Sequence, residues 1–93
     1  MEPLSSAEID AALAELGPAW RREGDSLVGE LERQDFVQAI ALVNEIAARA
    51  EHADHHPDIL IHGYRRVTVT LSTHSAGAIT ERDVELARSI QAL

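Results

Sequence analysis

The chain contains one segment, YRRVTVTLSTH at positions 64–74, in which apolar and polar residues alternate, and this segment limits its possible folds more than any other. Val67, Val69 and Leu71 fall on one parity, and the residues between them are polar. Successive side chains of a β-strand point to opposite faces, so this pattern predicts a strand with one buried and one solvated face. Such strands are typical of antiparallel sheets, whose buried face must be covered by other elements.

Three helices are predicted from capping residues and from apolar stripes with helical spacing. A capping residue followed three positions later by an acid or amide occurs at three places: Ser5 with Glu8, Asp35 with Gln38, and Thr80 with Asp83. The first helix is expected to end at Gly17, and the second at about Ala53. The stripe predicted to be buried on the second helix consists of Phe36, Ala39, Ile40, Val43, Ala47 and Ala50.

The remaining segments predict two pairs of strands. Residues 20–33 are expected to form a hairpin around the turn EGDS, and a short strand should follow Pro57 and precede the alternating run. The order is then helix, hairpin, helix, two strands, helix. It predicts an α+β fold in which three helices pack on one face of a four-stranded antiparallel sheet, as a single domain over residues 1–93.

Composition excludes several classes of function. Sixteen acids against eight arginines give a formal charge of −8, which argues against direct binding to nucleic acid or to an anionic membrane. The chain has no cysteine, so disulfides and thiol nucleophiles are excluded. The apolar runs are short and the N-terminus lacks a signal-peptide pattern, so a cytoplasmic protein is expected. The polar, strand-forming face of the sheet predicts a homo-oligomer, either a dimer or a tetramer.

Three of the five histidines lie in the stretch AEHADHHPD at residues 50–58, and they raise the question of a metal site. His52 and His56 are four residues apart, which would place two imidazoles on one helical face. Pro57, however, disfavours a helical conformation at His56. A metal site is therefore the less favoured interpretation, and acid/base chemistry suits imidazoles that titrate near neutral pH.

Glu51 is an unusual residue for the last turn of a helix, where the helix dipole disfavours an anion. One interpretation is that its carboxylate pairs with a histidine or with an N–H group of a ligand. The other is that it forms a solvated pair with a nearby arginine, and the residue alone favours this second interpretation.

His74 lies at the end of the alternating run and precedes a loop of small residues at 75–78. Small residues allow a ligand to approach the backbone. If this strand pairs with the one after Pro57, the loop would lie near the histidines of the corner. A pocket with imidazoles on two sides would result, whereas His52 and His62 are assigned to the surface.

These residues also occur at the spacing of a known signature. The matching positions are Glu51, His55, His56, Pro57, Tyr64, His74 and Asp83. The match extends to Trp20, Asp35–Phe36, THSAGAIT at 73–80 and RDVELA at 82–87. In this combined pattern the chain resembles the pterin-4a-carbinolamine dehydratase family over nearly its whole length.

The resemblance implies a hydro-lyase that removes water from 4a-hydroxytetrahydropterin, the carbinolamine left by pterin-dependent aromatic amino-acid hydroxylases, and forms quinonoid dihydropterin. The pterin would be the substrate, and neither a metal nor another cofactor is implied. The family fold, a four-stranded antiparallel sheet with three helices on one side in a homo-oligomer, agrees with the element order derived above.

The resemblance also implies roles for individual residues. His55 and His74 would be general acids for the departing hydroxyl, and His56, supported by Glu51, would hold the pterin and assist deprotonation. The residues expected to bind substrate are Asp54, Pro57, Ser72, Thr73, Ser75, Asp83 and Trp20. For Asp83, the capping box at the start of the last helix is a sufficient structural explanation by itself.

Two departures from the family pattern affect these expectations. GAIT at 77–80 replaces the more usual GGLT, so Ala78 is expected to restrict the backbone beside the pocket. The interval from Pro57 to Tyr64 is one residue longer than in some members, and Gly63 would accommodate it. Two alternatives stay open: a noncatalytic pterin-binding protein, and a coactivator-like interaction module that uses the sheet and second helix instead of the histidines.

Overall fold

A computed structural model describes residues 1–93, and its helices and strands follow the predicted order. The elements are α1 Ser6–Leu16, β1 Trp20–Glu23, β2 Ser26–Glu32, α2 Phe36–Ala53, β3 Asp58–His62, β4 Arg66–Leu71 and α3 Glu81–Gln91. None of the three helices has both the length and the apolar character needed to span a membrane.

The four strands form one antiparallel sheet in the order β1-β2-β4-β3. Val67, Val69 and Leu71 on the central strand β4 are fully buried and belong to a hydrophobic core shared with all three helices. Glu30 and Glu32 on the opposite parity of β2 are exposed. The predicted α+β fold, with three helices and a four-stranded antiparallel sheet, is confirmed.

Side-chain caps begin all three helices as predicted. Ser5 and Glu8 exchange hydrogen bonds of 2.9 and 3.1 Å, and Thr80 and Asp83 form the same reciprocal box at α3. The Asp35 carboxylate accepts a 2.9 Å hydrogen bond from a backbone N–H in the first turn of α2. These bonds satisfy backbone N–H groups that have no partner inside the helix.

The prediction for the buried face of α2 is wrong for three of its six residues. Ala39 and Ala50 are buried and Val43 is half-buried, but Phe36, Ile40 and Ala47 are exposed. The helix instead directs Leu42 and Ile46 into the core, together with Ala39 and Ala50. Two adjacent stripes of α2 are apolar, so the helical period alone does not tell which of them contacts the sheet.

The strand predicted from the alternating run is shorter than the run itself. It ends at Leu71, and Thr73 then pairs with Ala78 across a small loop. Gly77 provides the positive φ angle of 61° within this loop, and the φ angle of Ala78 is not positive. An alanine at position 78 in place of the usual glycine therefore does not strain the backbone. At the other end of the run, Tyr64 lies in the β3–β4 turn with a φ angle of 53°.

Candidate active site

The histidine pair 55–56 lies just beyond the carboxyl end of α2. Asp54 adopts the left-handed conformation, with φ 50°, and the backbone N–H of His55 bonds the carbonyl of Ala50 at 3.1 Å. This arrangement ends the helix before either histidine of the pair. His52 and His56 therefore do not share a helical face, as Pro57 predicted.

His55 forms a buried pair with a carboxylate of α3. Its Nε2 lies 2.5 Å from Oδ1 of Asp83, and the two residues are 8% and 0% exposed. The other carboxylate oxygen, Oδ2, accepts hydrogen bonds of 2.9 Å from the Thr73 hydroxyl and from the backbone N–H of Thr80. Asp83 is thus a fully satisfied buried acceptor that joins the end of α2, the loop after β4 and the start of α3.

This contact gives the two ring nitrogens of His55 different environments. The contact of Nε2 with Oδ1 fixes the orientation of the ring. A carboxylate can only accept hydrogen bonds, so the tautomer with the proton on Nε2 is the one that suits this contact. Nδ1 has no partner in the chain, and no side-chain nitrogen or oxygen is both buried and without a partner. Nδ1 is therefore open to solvent and is the nitrogen that can exchange a proton with a ligand.

His56 forms a second, exposed pair with a carboxylate. Its Nε2 contacts Oε2 of Glu51, and the two side chains are 58% and 76% exposed. The interpretation in which Glu51 pairs with an arginine is wrong, because His56 is the only side chain that its carboxylate contacts. The left-handed residue at position 54 folds the chain back, so that His56 comes within reach of the last turn of α2.

His74 completes a cavity of about 290 Å³ in which three histidines converge. The lining residues are Asp54, His55, His56, Ser72, Thr73, His74, Ser75 and Arg82. The antiparallel pairing of β3 with β4 brings the loop after β4 to the corner that contains the histidines. All of these lining residues except Arg82 were identified from the sequence.

Arg82 is the lining residue that the sequence interpretation missed. Its guanidinium donates to the backbone carbonyls of Asp54 at 2.5 Å and Ala53 at 3.4 Å, so it ties the start of α3 to the end of α2. A cation at the C-terminus of a helix is favourable because of the helix dipole. The available signal was its position directly before Asp83 in the segment RDVELA.

Trp20 is not among the residues that line this cavity. It is 5% exposed, it stacks on the α-carbon of Gly29, where a Cβ would lie 2.7 Å from the ring, and its Nε1 donates to Gln91 at 2.9 Å. Gln91 is eight residues beyond Asp83 on α3, roughly 12 Å along the axis. Pro57 is half-buried and also lies outside the lining.

Other titratable groups lie away from the cavity. His62 is exposed on β3 and its Nε2 lies 2.9 Å from the Thr68 hydroxyl. A hydrogen bond from Thr68 and the nearby Arg21 guanidinium lower the pKa of Glu30, on the solvated face of the sheet. No three of the chain's histidine and acidic side chains converge in a way suited to a metal ion.

Comparisons with known proteins identify the family of this chain. The family model described as pterin 4 alpha carbinolamine dehydratase matches residues 2–93. A protein of Nocardia farcinica whose assigned name is pterin-4-alpha-carbinolamine dehydratase is 51% identical over 92 residues, covering 99% of this chain and 95% of its own length. A protein of Thermomicrobium roseum with the same assigned name is 48% identical and covers 100% of this chain and 98% of its own length.

Solved structures share the fold. The crystal structure of a transcriptional coactivator/pterin dehydratase from Brucella melitensis has a TM-score of 0.89 and 33% identity, covering 98% of this chain and 97% of that one. A pterin dehydratase-like protein identified as a RuBisCO assembly factor in the alpha-carboxysome has a TM-score of 0.68 and 22% identity, covering 83% of this chain and 90% of that one, and shows the fold alone. The chain belongs to the pterin-4-alpha-carbinolamine dehydratase family of hydro-lyases.

Proposed function

We propose that this chain dehydrates 4a-hydroxytetrahydropterin to quinonoid dihydropterin by histidine acid/base catalysis, as a step of cytoplasmic tetrahydropterin recycling after a pterin-dependent hydroxylase. The observation that carries the proposal is the convergence of His55, His56 and His74 in one polar cavity, with His55 oriented by a buried carboxylate. The pterin is the substrate, and the proposed mechanism uses no metal and no further cofactor.

The reaction requires two proton transfers at neighbouring atoms of the ring. The bond between C4a and the hydroxyl breaks, the hydroxyl leaves as water after it gains a proton, and the adjacent ring N–H gives up its proton. Hydroxide is a poor leaving group near neutral pH, so a positioned imidazolium lowers the barrier, typically by about 10²- to 10⁴-fold in rate.

The three histidines divide these tasks in the proposal. His55 and His74, which reach the cavity from different elements, donate the proton to the leaving hydroxyl. His56, paired with Glu51, holds the ring and accepts the proton from its N–H. This division is supported by chemistry, because the exposed pair has a carboxylate that stabilises the imidazolium formed when His56 gains a proton.

The remaining predicted residues have supporting roles. Asp54, Ser72 and Ser75 line the cavity and offer hydrogen-bonding groups to the polar edge of a pterin. Asp83 is fully buried, and Thr73 directs its hydroxyl to that carboxylate, so we assign both to positioning His55. Direct contact of Trp20 with the pterin has no support from its position in the core.

The proposal is tested by generating the 4a-carbinolamine and following the appearance of quinonoid dihydropterin. Wild type should accelerate the reaction, and His55→Ala should lower kcat by about 10²-fold or more. His62→Ala is the matched control, because it removes an exposed histidine outside the cavity. No acceleration by the wild type would contradict the enzymatic proposal.

Because His55 and His74 can both act as general acids in one pocket, we infer that this pocket processes both C4a epimers of the carbinolamine. The hydroxyl lies on opposite ring faces in the two epimers, so His55→Ala and His74→Ala should each slow one epimer more than the other. Rates measured on the separated epimers check this division of labour. Equal losses on both epimers in both variants would show it to be wrong.

We further infer that the chain forms a homo-oligomer, either a dimer or a tetramer. Phe36, Val37 and Ile40 leave an apolar stripe of α2 exposed, and Leu60 is exposed on the edge strand β3. The stripe lies apart from the histidines, so it is also the surface that would serve a coactivator-like interaction. Sedimentation at micromolar concentration should give a multimer for wild type, whereas a monomer would contradict the inference.

A further inference from the structure

The largest cavity of the chain is a groove of about 520 Å³ between α2 and α3, outside the sheet and distinct from the histidine cavity. Arg49, His52, Arg82 and Glu85 are its titratable surface residues. His55 and Arg82 line both this groove and the histidine cavity, so the two spaces adjoin.

The arginines of this groove differ from most others in the chain because they have no acidic partner. Four arginines contact a carboxylate within 4.0 Å: Arg21, Arg65, Arg66 and Arg88. Arg49 bonds only the backbone and hydroxyl oxygens of Ser89, at 3.3 and 2.7 Å. Arg82 bonds only the carbonyls at the end of α2. Both charges thus stay without a paired carboxylate in a chain whose net charge is −8.

Each of these guanidinium groups also has unused donors. Arg49 donates through Nη1 alone and Arg82 through Nη2 alone, so each keeps Nε and one terminal nitrogen free. The bonds already made tie the Arg49 side chain to α3 and the Arg82 side chain to the end of α2. Glu85, the one acid lining the groove, forms no ion pair with either arginine. Two arginines and one glutamate leave the lining at +1 with histidine neutral.

We propose that the α2–α3 groove binds an anion of the phosphate class, held by Arg49 and Arg82 with His52 beside them. A planar guanidinium with two adjacent free N–H donors matches the oxygens of a phosphate. The anion is either free phosphate or a phosphoester on the side chain of a pterin whose ring lies in the adjoining histidine cavity. The site itself does not depend on the proposed dehydratase reaction.

Titration calorimetry of the full chain with inorganic phosphate tests the site without any turnover. Arg49→Ala should raise the Kd about tenfold or more, since it removes a charged donor. Arg22→Ala is the matched control, because Arg22 also lacks a carboxylate partner but lies on β1 outside the groove. Arg22→Ala should change the Kd less than twofold. An equal loss of phosphate affinity in the two variants would mean that only the net charge of the chain matters, and it would overturn the proposal.

Glu85→Gln provides a test of opposite sign that does not depend on the packing of Arg49. Removal of the one acid in the groove should lower the Kd for phosphate severalfold. Circular dichroism verifies that each variant is folded. If Arg49→Ala does not fold, the result for Glu85→Gln decides the test. No phosphate binding by wild type, or an unchanged Kd in Glu85→Gln, would overturn the proposal.

Kinetics with two carbinolamines distinguishes the two sources of the anion. If the anion belongs to the substrate, Arg49→Ala should raise the KM of a carbinolamine with a phosphorylated side chain about tenfold relative to one with a hydroxylated side chain. If it is free phosphate, the ratio of the two KM values should stay unchanged while the calorimetric loss persists. Failure of the dehydratase assay would leave the calorimetric result intact.

Discussion

Two adjacent histidines of this chain have carboxylate partners, and the two pairs have opposite environments. His55 contacts Asp83 in a place where both are almost completely buried, whereas His56 contacts Glu51 in open solvent. A buried charge that loses its partner costs several kcal/mol, but an exposed ion pair is screened by water and contributes little. The same two residue types therefore form a pair with a fixed geometry at His55 and a pair with an adaptable geometry at His56.

The partners of the two acids explain this difference. Asp83 accepts hydrogen bonds from three groups on three segments of the chain, so its position is fixed by the fold. Glu51 has one partner, five residues further along the same segment. An acid held by three donors orients its histidine in the free protein, whereas an acid held by one can reorient when a ligand arrives.

The largest expected effect comes from removing the buried acid. Asp83→Ala leaves the His55 ring, the Thr73 hydroxyl and a backbone N–H without their acceptor, so the free energy of unfolding should fall by about 3–5 kcal/mol. Urea denaturation followed by circular dichroism measures this loss. A change in the free energy of unfolding below about 1 kcal/mol is the size expected for an exposed ion pair. Such a result would mean that the buried and exposed pairs do not differ in their contribution to stability.

A smaller effect should follow from removing one donor to the same acid. Thr73→Val keeps the shape of the side chain but removes the hydroxyl that bonds Oδ2 of Asp83 and Oγ1 of Thr80. Loss of this bond should lower the free energy of unfolding by about 1–2 kcal/mol. Thr70→Val, on the solvated face of β4, is the matched control and should have almost no effect on the same urea curve.

The smallest effect on stability should come from the exposed pair. Glu51→Gln should change the free energy of unfolding by less than about 1 kcal/mol, because water already screens the interaction. Its kcat should fall only a few-fold, since His56 remains in the cavity. A loss of stability equal to that of Asp83→Ala would mean that the exposed pair is as important to the fold as the buried one.

Much of the fold could be predicted because its signals are local. Capping boxes place the helix starts, and the alternation of Val67, Val69 and Leu71 identifies the central strand. The buried face of α2 was not predictable in the same way, since Leu42 and Phe36 lie on adjacent apolar stripes. Which of two such stripes is buried depends on tertiary packing, and the local sequence pattern does not show it.

The candidate site was predictable to a similar extent and for a similar reason. The histidines stand out by their residue type, and the pairing of β3 with β4 brings them together. The role of Arg82 was hidden because it bonds backbone carbonyls, which every residue has. The position of Trp20 was hidden because it depends on the register that sets it against Gly29.

In the mechanism proposed above, Asp83 acts on catalysis through His55, and a double-mutant cycle in kcat measures this coupling. Asp83→Asn should lower kcat about tenfold or more in the wild-type background, since the ring loses its orienting acceptor. In the His55→Ala background the same substitution should cause no further loss, measured where every variant is folded. Losses that multiply in the double variant would show instead that Asp83 acts independently of His55.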